Sequence, residues 1–282
     1  MALLIPRIKR PQRQHGRGRT IERQNNKVPN KINPTDRYAP ADFLVRQGIS
    51  MKIIITDLTR FSNKEIVCIA GINPETNECI RPLPYIQKAS CQRTNILPGA
   101  IIKGDFTPCT HTAPHTEDRN SANLKFLGPC STEQFKSVLE RSSDNSVEEG
   151  FGVTLSSGQK HVPHDSPPEK SIITLSIDPT QFKIFKDSFN PSKLRVTFTD
   201  NSGISFRYLS ITDLGFFEYA ERHAANDEIC EINDFIHSQE KLYIRLGLSR
   251  AYQINDGRNG FWFQVNGIYT FPEYVEEIRC YS

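Results

Sequence analysis

No run of about eighteen or more apolar residues occurs in this 282-residue chain, so no membrane-spanning helix is expected. The N-terminus carries basic residues without an apolar core behind them, which argues against a secretory signal and for a cytoplasmic protein. Phosphate-binding loops, nucleophile elbows, HExxH zinc helices and dinucleotide fingerprints are all missing. The commonest enzyme classes are excluded on that ground, though a small and uncommon one is not. No short-period repeat is present, which excludes solenoids and propellers. Seven cysteines, an odd count at irregular spacing, read as free thiols or metal ligands rather than a disulfide framework.

What is present begins with charge. Residues 1–50 hold eleven Lys or Arg against three acids and carry +8, while the remainder carries −5. This arm is rich in Pro, Asn, Gln and Gly and has the composition of a disordered segment. Basic arms of this kind grip nucleic acid through its phosphates without reading sequence. Arg7, Lys9, Arg10, Arg13, Arg17 and Arg19 are its candidate nucleic-acid contacts. A solvated tail is the plainer alternative.

From Met51 onward, short β-branched runs alternate with Pro, Gly and Asn turns, the pattern of small barrels or sandwiches. Strands are expected at 52–56, 66–72, 78–83 and 100–106, then a capped helix at 131–141 and a loop with one short strand near 152–155. The second half repeats the theme. It has strands at 171–177, 194–199, 204–210, 242–248 and 260–266, and a mostly helical 213–236. The expected fold is mainly β: two OB-type β-barrels, each with a helix, behind the basic arm. The expected division is 1–50, 51–165 and 166–282.

Reactive groups concentrate in residues 108–118, where Cys109, His111, His115, Glu117 and Asp118 lie between and after two prolines. Prolines keep this segment irregular, which is where binding and catalytic groups tend to sit. Cys109 beside His111 and His115 is a candidate thiolate nucleophile. Glu117 or Asp118 is a candidate general base, with a solvated turn or a pairing to Arg119 or Arg81 as the structural alternative. Cys109, His111, His115 and Cys130 also have the right donor types for zinc, but their spacing matches no common finger. His161 and His164 form a second, weaker pair. Phe261, Trp262 and Phe263 must point to alternate faces of a strand, so Trp262, or its two neighbours, is a candidate for base stacking. Arg81 is a further candidate nucleic-acid contact.

Three segments carry a resemblance. They are Val67–Ile72 followed by Cys79–Leu83, Pro114–Asp118, and Ser205–Asp213 followed by Leu246–Ser249. In this order the chain resembles the dual OB-domain family of bacterial DNA-modification and defence proteins over residues 51–282. One member type looks like the C component of the 7-deazaguanine DNA-modification system. The resemblance implies DNA as partner, together with other subunits of such a system. It also implies hydration of the nitrile of 7-cyano-7-deazaguanine to an amide, with His115, Glu117 and Asp118 inside the matching segment. A non-catalytic DNA-binding subunit and a module without nucleic acid remain as alternatives.

Overall fold

The computed structural model describes residues 49–110, 113–191 and 193–279. They are built on two β-sheets within one compact unit. The first sheet contains β1 (Ile49–Arg60), β2 (Ile66–Ile72), β3 (Cys79–Leu83), β4 (Ile86–Gln87), β5 (Ala100–Pro108) and β6 (Asp118–Pro129). The first half of β1 pairs with β5 and its second half with β2. β2 continues to β3, β3 runs parallel to β6, and β6 returns to β5. The path closes on itself in Greek-key order, the OB topology. Helix α1 (Lys88–Arg93) sits between its third and fourth barrel strands.

The second barrel repeats this order. β9 (Ile172–Ile177) and β10 (Phe182–Lys186) are two halves of one strand, broken where Asp178 caps the turn Pro179–Gln181. β9 pairs with β13 (Lys241–Leu248), and β10 pairs with β11 (Leu194–Thr199). β11 pairs with β12 (Ser205–Ile211), which runs parallel to β15 (Asn259–Phe271), and β15 returns to β13. Helices α4 (Leu214–Ala225) and α5 (Ile229–His237) occupy the place that α1 has in the first barrel. The short strands β7 (Ser143–Asp144), β8 (His161–Pro163) and β14 (Tyr252–Gln253) extend the second sheet.

β1 explains how the barrels are joined. Residues Ile53 to Thr59 are all buried, although strand side chains alternate between faces. Ile53, Ile55 and Leu58 face the first barrel's core, whereas Ile54 packs with Tyr243, Tyr269 and Phe271 of the second barrel. A bulge between Ile55 and Asp57 shifts the alternation. Helix α2 (Thr132–Arg141) fills the same seam with Phe135, Val138 and Leu139 and starts with a Ser131/Gln134 capping box. Polar links cross the seam as well. Tyr269 donates its hydroxyl to the Thr56 carbonyl at 2.6 Å, and the Arg60 N–H donates to the Thr212 carbonyl at 2.9 Å.

Four expectations need correction. The helix at 131–141 forms, but it belongs to the seam; the first barrel's own helix is α1, where Cys91 alone is buried and no apolar period exists. The strand expected near Gly152 is absent, because α3 (Val147–Phe151) precedes it and ends at Gly152 with φ 67°. β6 and β10 were not expected; β6 is mostly exposed and polar, so it lacks an apolar signal. The two sheets part between Pro129 and Ser143 rather than at 165, since β7 and β8 pair with the second sheet. Among the described residues no helix is long and apolar enough to cross a membrane.

Candidate functional site

The segment 114–118 is folded against β3 and works as a joint. The Arg81 N–H donates to the Glu117 carbonyl at 2.8 Å. Asp118, in the first β6 position, accepts from Arg81 Nε at 2.5 Å and from Arg250 of the second barrel at 2.8 Å. Burial alone would raise the Asp118 pKa, but the Arg81 and Arg250 guanidiniums hold it below the ordinary carboxylate value. His115 Nδ1 lies 3.0 Å from the other side of the Arg81 guanidinium.

Glu117 crosses to the second barrel. One carboxylate oxygen accepts the N–H groups of Ser171 and Ile172 at 2.6 and 2.9 Å, and the other accepts the Ser171 hydroxyl at 3.0 Å. With its oxygens committed and its side chain buried, Glu117 anchors the start of β9 and is poorly placed to take a proton from water.

The groups that Asp118 positions open onto a cleft at the seam. Its lining includes Asp57, Thr59, Phe61, Cys68, Arg81, Tyr85, Ser249, Arg250, Gln264 and Asn266, around a small void of about 60 Å³ that opens to solvent. Asp57 is a fully buried charge in this lining. Its Oδ2 accepts from Arg245 Nε at 2.8 Å and from the Thr56 hydroxyl at 2.8 Å, while its buried Oδ1 has no hydrogen-bond partner. Arg245 is itself fully buried and also donates to the Thr174 hydroxyl at 2.7 Å and the Cys79 sulfur at 3.2 Å. Burial pushes the Cys68 thiol up to about 11 and the Cys79 thiol up to about 12, so both are protonated at neutral pH. At the mouth, the Phe61 and Tyr85 rings lie 4.7 Å apart and the Tyr85 hydroxyl meets Arg250 at 3.2 Å.

The expected site residues therefore separate. His115, Glu117, Asp118 and Arg81 converge, although the carboxylates hold the joint and Arg81 alone of the four lines the cleft. Cys109 follows β5, half-buried, and does not line it; the cleft thiol is Cys68. His111 lies outside the described residues, as do Arg7, Lys9, Arg10, Arg13, Arg17 and Arg19. Cys109, His115 and Cys130 form no metal-ligand cluster, and a guanidinium against the His115 ring is poor company for a cation. Among the described residues, the group with cation-binding spacing is His223, Glu228 and Glu231 at the α4–α5 turn. There His223 Nδ1 is already 2.8 Å from Glu228, and its ring packs on Tyr219. Trp262 is half-buried, between buried Phe261 and Phe263, with its indole N–H donated to the Tyr252 carbonyl at 3.0 Å.

Asp57, Cys68 and Arg250 were missed by the sequence reading. Cys68 sat inside a strand motif, and Asp57 follows the first β-branched run; neither position stands out without knowing that β1 is shared between barrels. Two OB-type barrels in tandem, closed over a polar cleft at their seam, are the class that this fold defines. A family model described as dual OB-containing domain matches residues 51–268, and the chain belongs to that family. It is also similar to a solved chain from a replication protein A heterotrimer bound to single-stranded DNA, at 10% identity and a TM-score of 0.34. That alignment covers 87% of this chain and 53% of the other, so the chain spans about half that chain's length. Comparison with curated proteins gave no match.

Proposed function

We propose that the protein binds nucleic acid, DNA in the first place, and takes a single base into the cleft at the seam. The observation that carries this reading is the unpartnered Asp57 Oδ1, buried in a cleft that also offers Arg81, Arg250, Gln264 and Asn266. A buried carboxylate oxygen without a donor is costly, which favours a ligand that brings N–H groups to it. Base edges do so, and Phe61 and Tyr85 supply aromatic surface at the entrance. A groove of about 480 Å³ shares Phe61 with the cleft and is lined by Arg60, Lys64, Lys88, Lys193 and Arg195 against Glu218 and Glu221. This basic excess suits a phosphate backbone. In duplex DNA the base would have to be flipped out. The arm residues Arg7, Lys9, Arg10, Arg13, Arg17 and Arg19 would add phosphate contacts.

The test is binding of labelled single-stranded and duplex DNA by the full chain and by Arg250→Ala. Arg250 is exposed, and Asp118 keeps its Arg81 partner without it, so its removal should spare the fold. Weaker binding by the variant is expected; binding that ignores the change would count against the cleft.

A second reading is hydration of a base-borne nitrile, that of 7-cyano-7-deazaguanine in DNA. It is favoured by a thiol and a carboxylate, Cys68 and Asp57, lining one cleft. In this reading the Cys68 sulfur bonds to the nitrile carbon while its proton passes, through Asp57, to the nitrile nitrogen. Water then adds to the thioimidate carbon, the C–S bond breaks, the thiol regains its proton, and the amide leaves. Because Cys68 is a thiol at neutral pH, the base is essential to attack. His115 and Asp118 act through Arg81 in this scheme, and Cys109 has no part. Incubation with DNA carrying the nitrile base should add the mass of one water, and Cys68→Ala should abolish the gain. No gain with the unaltered protein would leave the alternative, a DNA-binding subunit that serves a partner enzyme.

A further inference from the structure

We propose that the outer face of the second barrel is a stacking platform for single-stranded nucleic acid, built on Tyr208 and Trp262. The proposal rests on the nucleic-acid reading above but concerns a different surface from the cleft. Its first support is backbone geometry. Five described residues other than glycine have positive φ, and four of them are Asn or Asp. The fifth is Tyr208, at φ 61°. A bulky residue is an outlier in this region and persists only where the surrounding structure imposes it.

The cause is a bulge. Pairing of β11 with β12 shifts between Val196 and Phe198, so strict alternation fails and Arg207 and Tyr208 are both exposed. Bulges of this kind re-aim side chains and are frequent beside functional sites. Here the result is an aromatic ring presented outward at 49% exposure, braced edge-on by Phe185 at 5.3 Å.

The second support is what surrounds the ring. Lys160 Nζ stands 4.9 Å from the centre of the Tyr208 ring. Lys160 precedes β8, which pairs His161 with Trp262, and the His161 and Trp262 rings stack at 4.7 Å. Arg258 lies 5.4 Å from the Trp262 ring. Burial lowers the Lys160 pKa, and the nearby charges of Arg195 and Arg258 lower it further. The acids of this surface are engaged, Asp187 by Arg195 at 2.8 Å and Asp256 by Arg258 at 2.6 Å. Lys160 and Arg207 have no ion-pair partner among the described residues. Two rings, each with a cation against it, in a field short of anions, match bases with phosphates between them. Stacking needs open base faces, which a duplex does not offer, so the ligand is a single strand.

The chain contains one tryptophan, so its emission reports on this surface alone. The full chain should be titrated with a fluorescently labelled thymidine oligonucleotide and with a blunt duplex of equal length. The single strand should change Trp262 emission, and the duplex should not. Tyr208→Gly removes the ring and suits the left-handed backbone, so the fold is retained. It should weaken single-strand binding by about five- to a hundredfold, the range for one lost stacked base, and leave duplex binding unchanged. Strand binding seen by anisotropy, with silent Trp262 emission and an unaffected Tyr208→Gly, overturns the platform and leaves the cleft reading standing. No binding of either nucleic acid overturns both.

Discussion

Glu117 separates a structural role from a chemical one, and its two simplest variants should behave differently. Its carboxylate accepts two backbone N–H groups and one hydroxyl, all from Ser171 and Ile172. In Glu117→Ala the two buried N–H groups lose their acceptor. A buried unsatisfied donor costs about 1–3 kcal/mol, so the pair costs about 2–6 kcal/mol, a large part of a typical domain's stability. In Glu117→Gln the amide oxygen still accepts both N–H groups, and the NH₂ can donate to the Ser171 hydroxyl, which rotates to accept. What is lost is the charge assistance, about 1 kcal/mol. Urea unfolding followed by circular dichroism would read both. With a slope of about 2–3 kcal/mol/M, the Ala midpoint should fall by about 0.7–3 M and the Gln midpoint by less than about 0.5 M. A general base would show the reverse emphasis: Gln as inactive as Ala in the hydration assay, with stability intact in both. Equal, small stability losses in the two variants would refute the joint.

Burial raises the Asp213 carboxyl from 3.8 to about 7. The native state therefore holds a proton that the unfolded chain releases, and stability from this group falls between about pH 4 and pH 7. Asp213→Asn should flatten that part of the profile of urea midpoint against pH. Arg245→Met leaves Asp57 charged and unpaired at the seam, at a cost of about 3–5 kcal/mol, and adding Asp57→Asn should recover a good part of it; a double-mutant cycle by urea unfolding measures the coupling. Iodoacetamide at pH 8 should label the exposed Cys230 well before Cys68, which burial keeps protonated. Peptide mass mapping that found Cys68 labelled first would refute its burial.

Much of the fold was legible before any tertiary contact was known. The β-branched runs at 52–56 and 66–72 and the Asp200–Gly203 turn follow local rules, and they mark strands wherever they fold. Of the elements that stayed hidden, β6 and α1 have little apolar pattern of their own. They are held by pairing with β5 and β3 or by following β4, which no local window contains.

The site was legible in part. The ionisable residues at 115–118 fold into a joint beside the cleft and do not line it, and their roles depend on partners far along the chain. Glu117 meets Ser171 and Ile172, Asp118 meets Arg250, and Asp57 meets Arg245. Composition and local spacing determined that this chain makes short strands, small barrels and a strongly basic arm, because backbone preference and side-chain alternation act over a few residues. Which carboxylate keeps an open oxygen and which thiol lines a cleft were decided only when two barrels closed against each other, and which ring is turned outward only by strand pairing within the second barrel. Burial and hydrogen-bond partnership are properties of that closed seam and of no shorter stretch of chain.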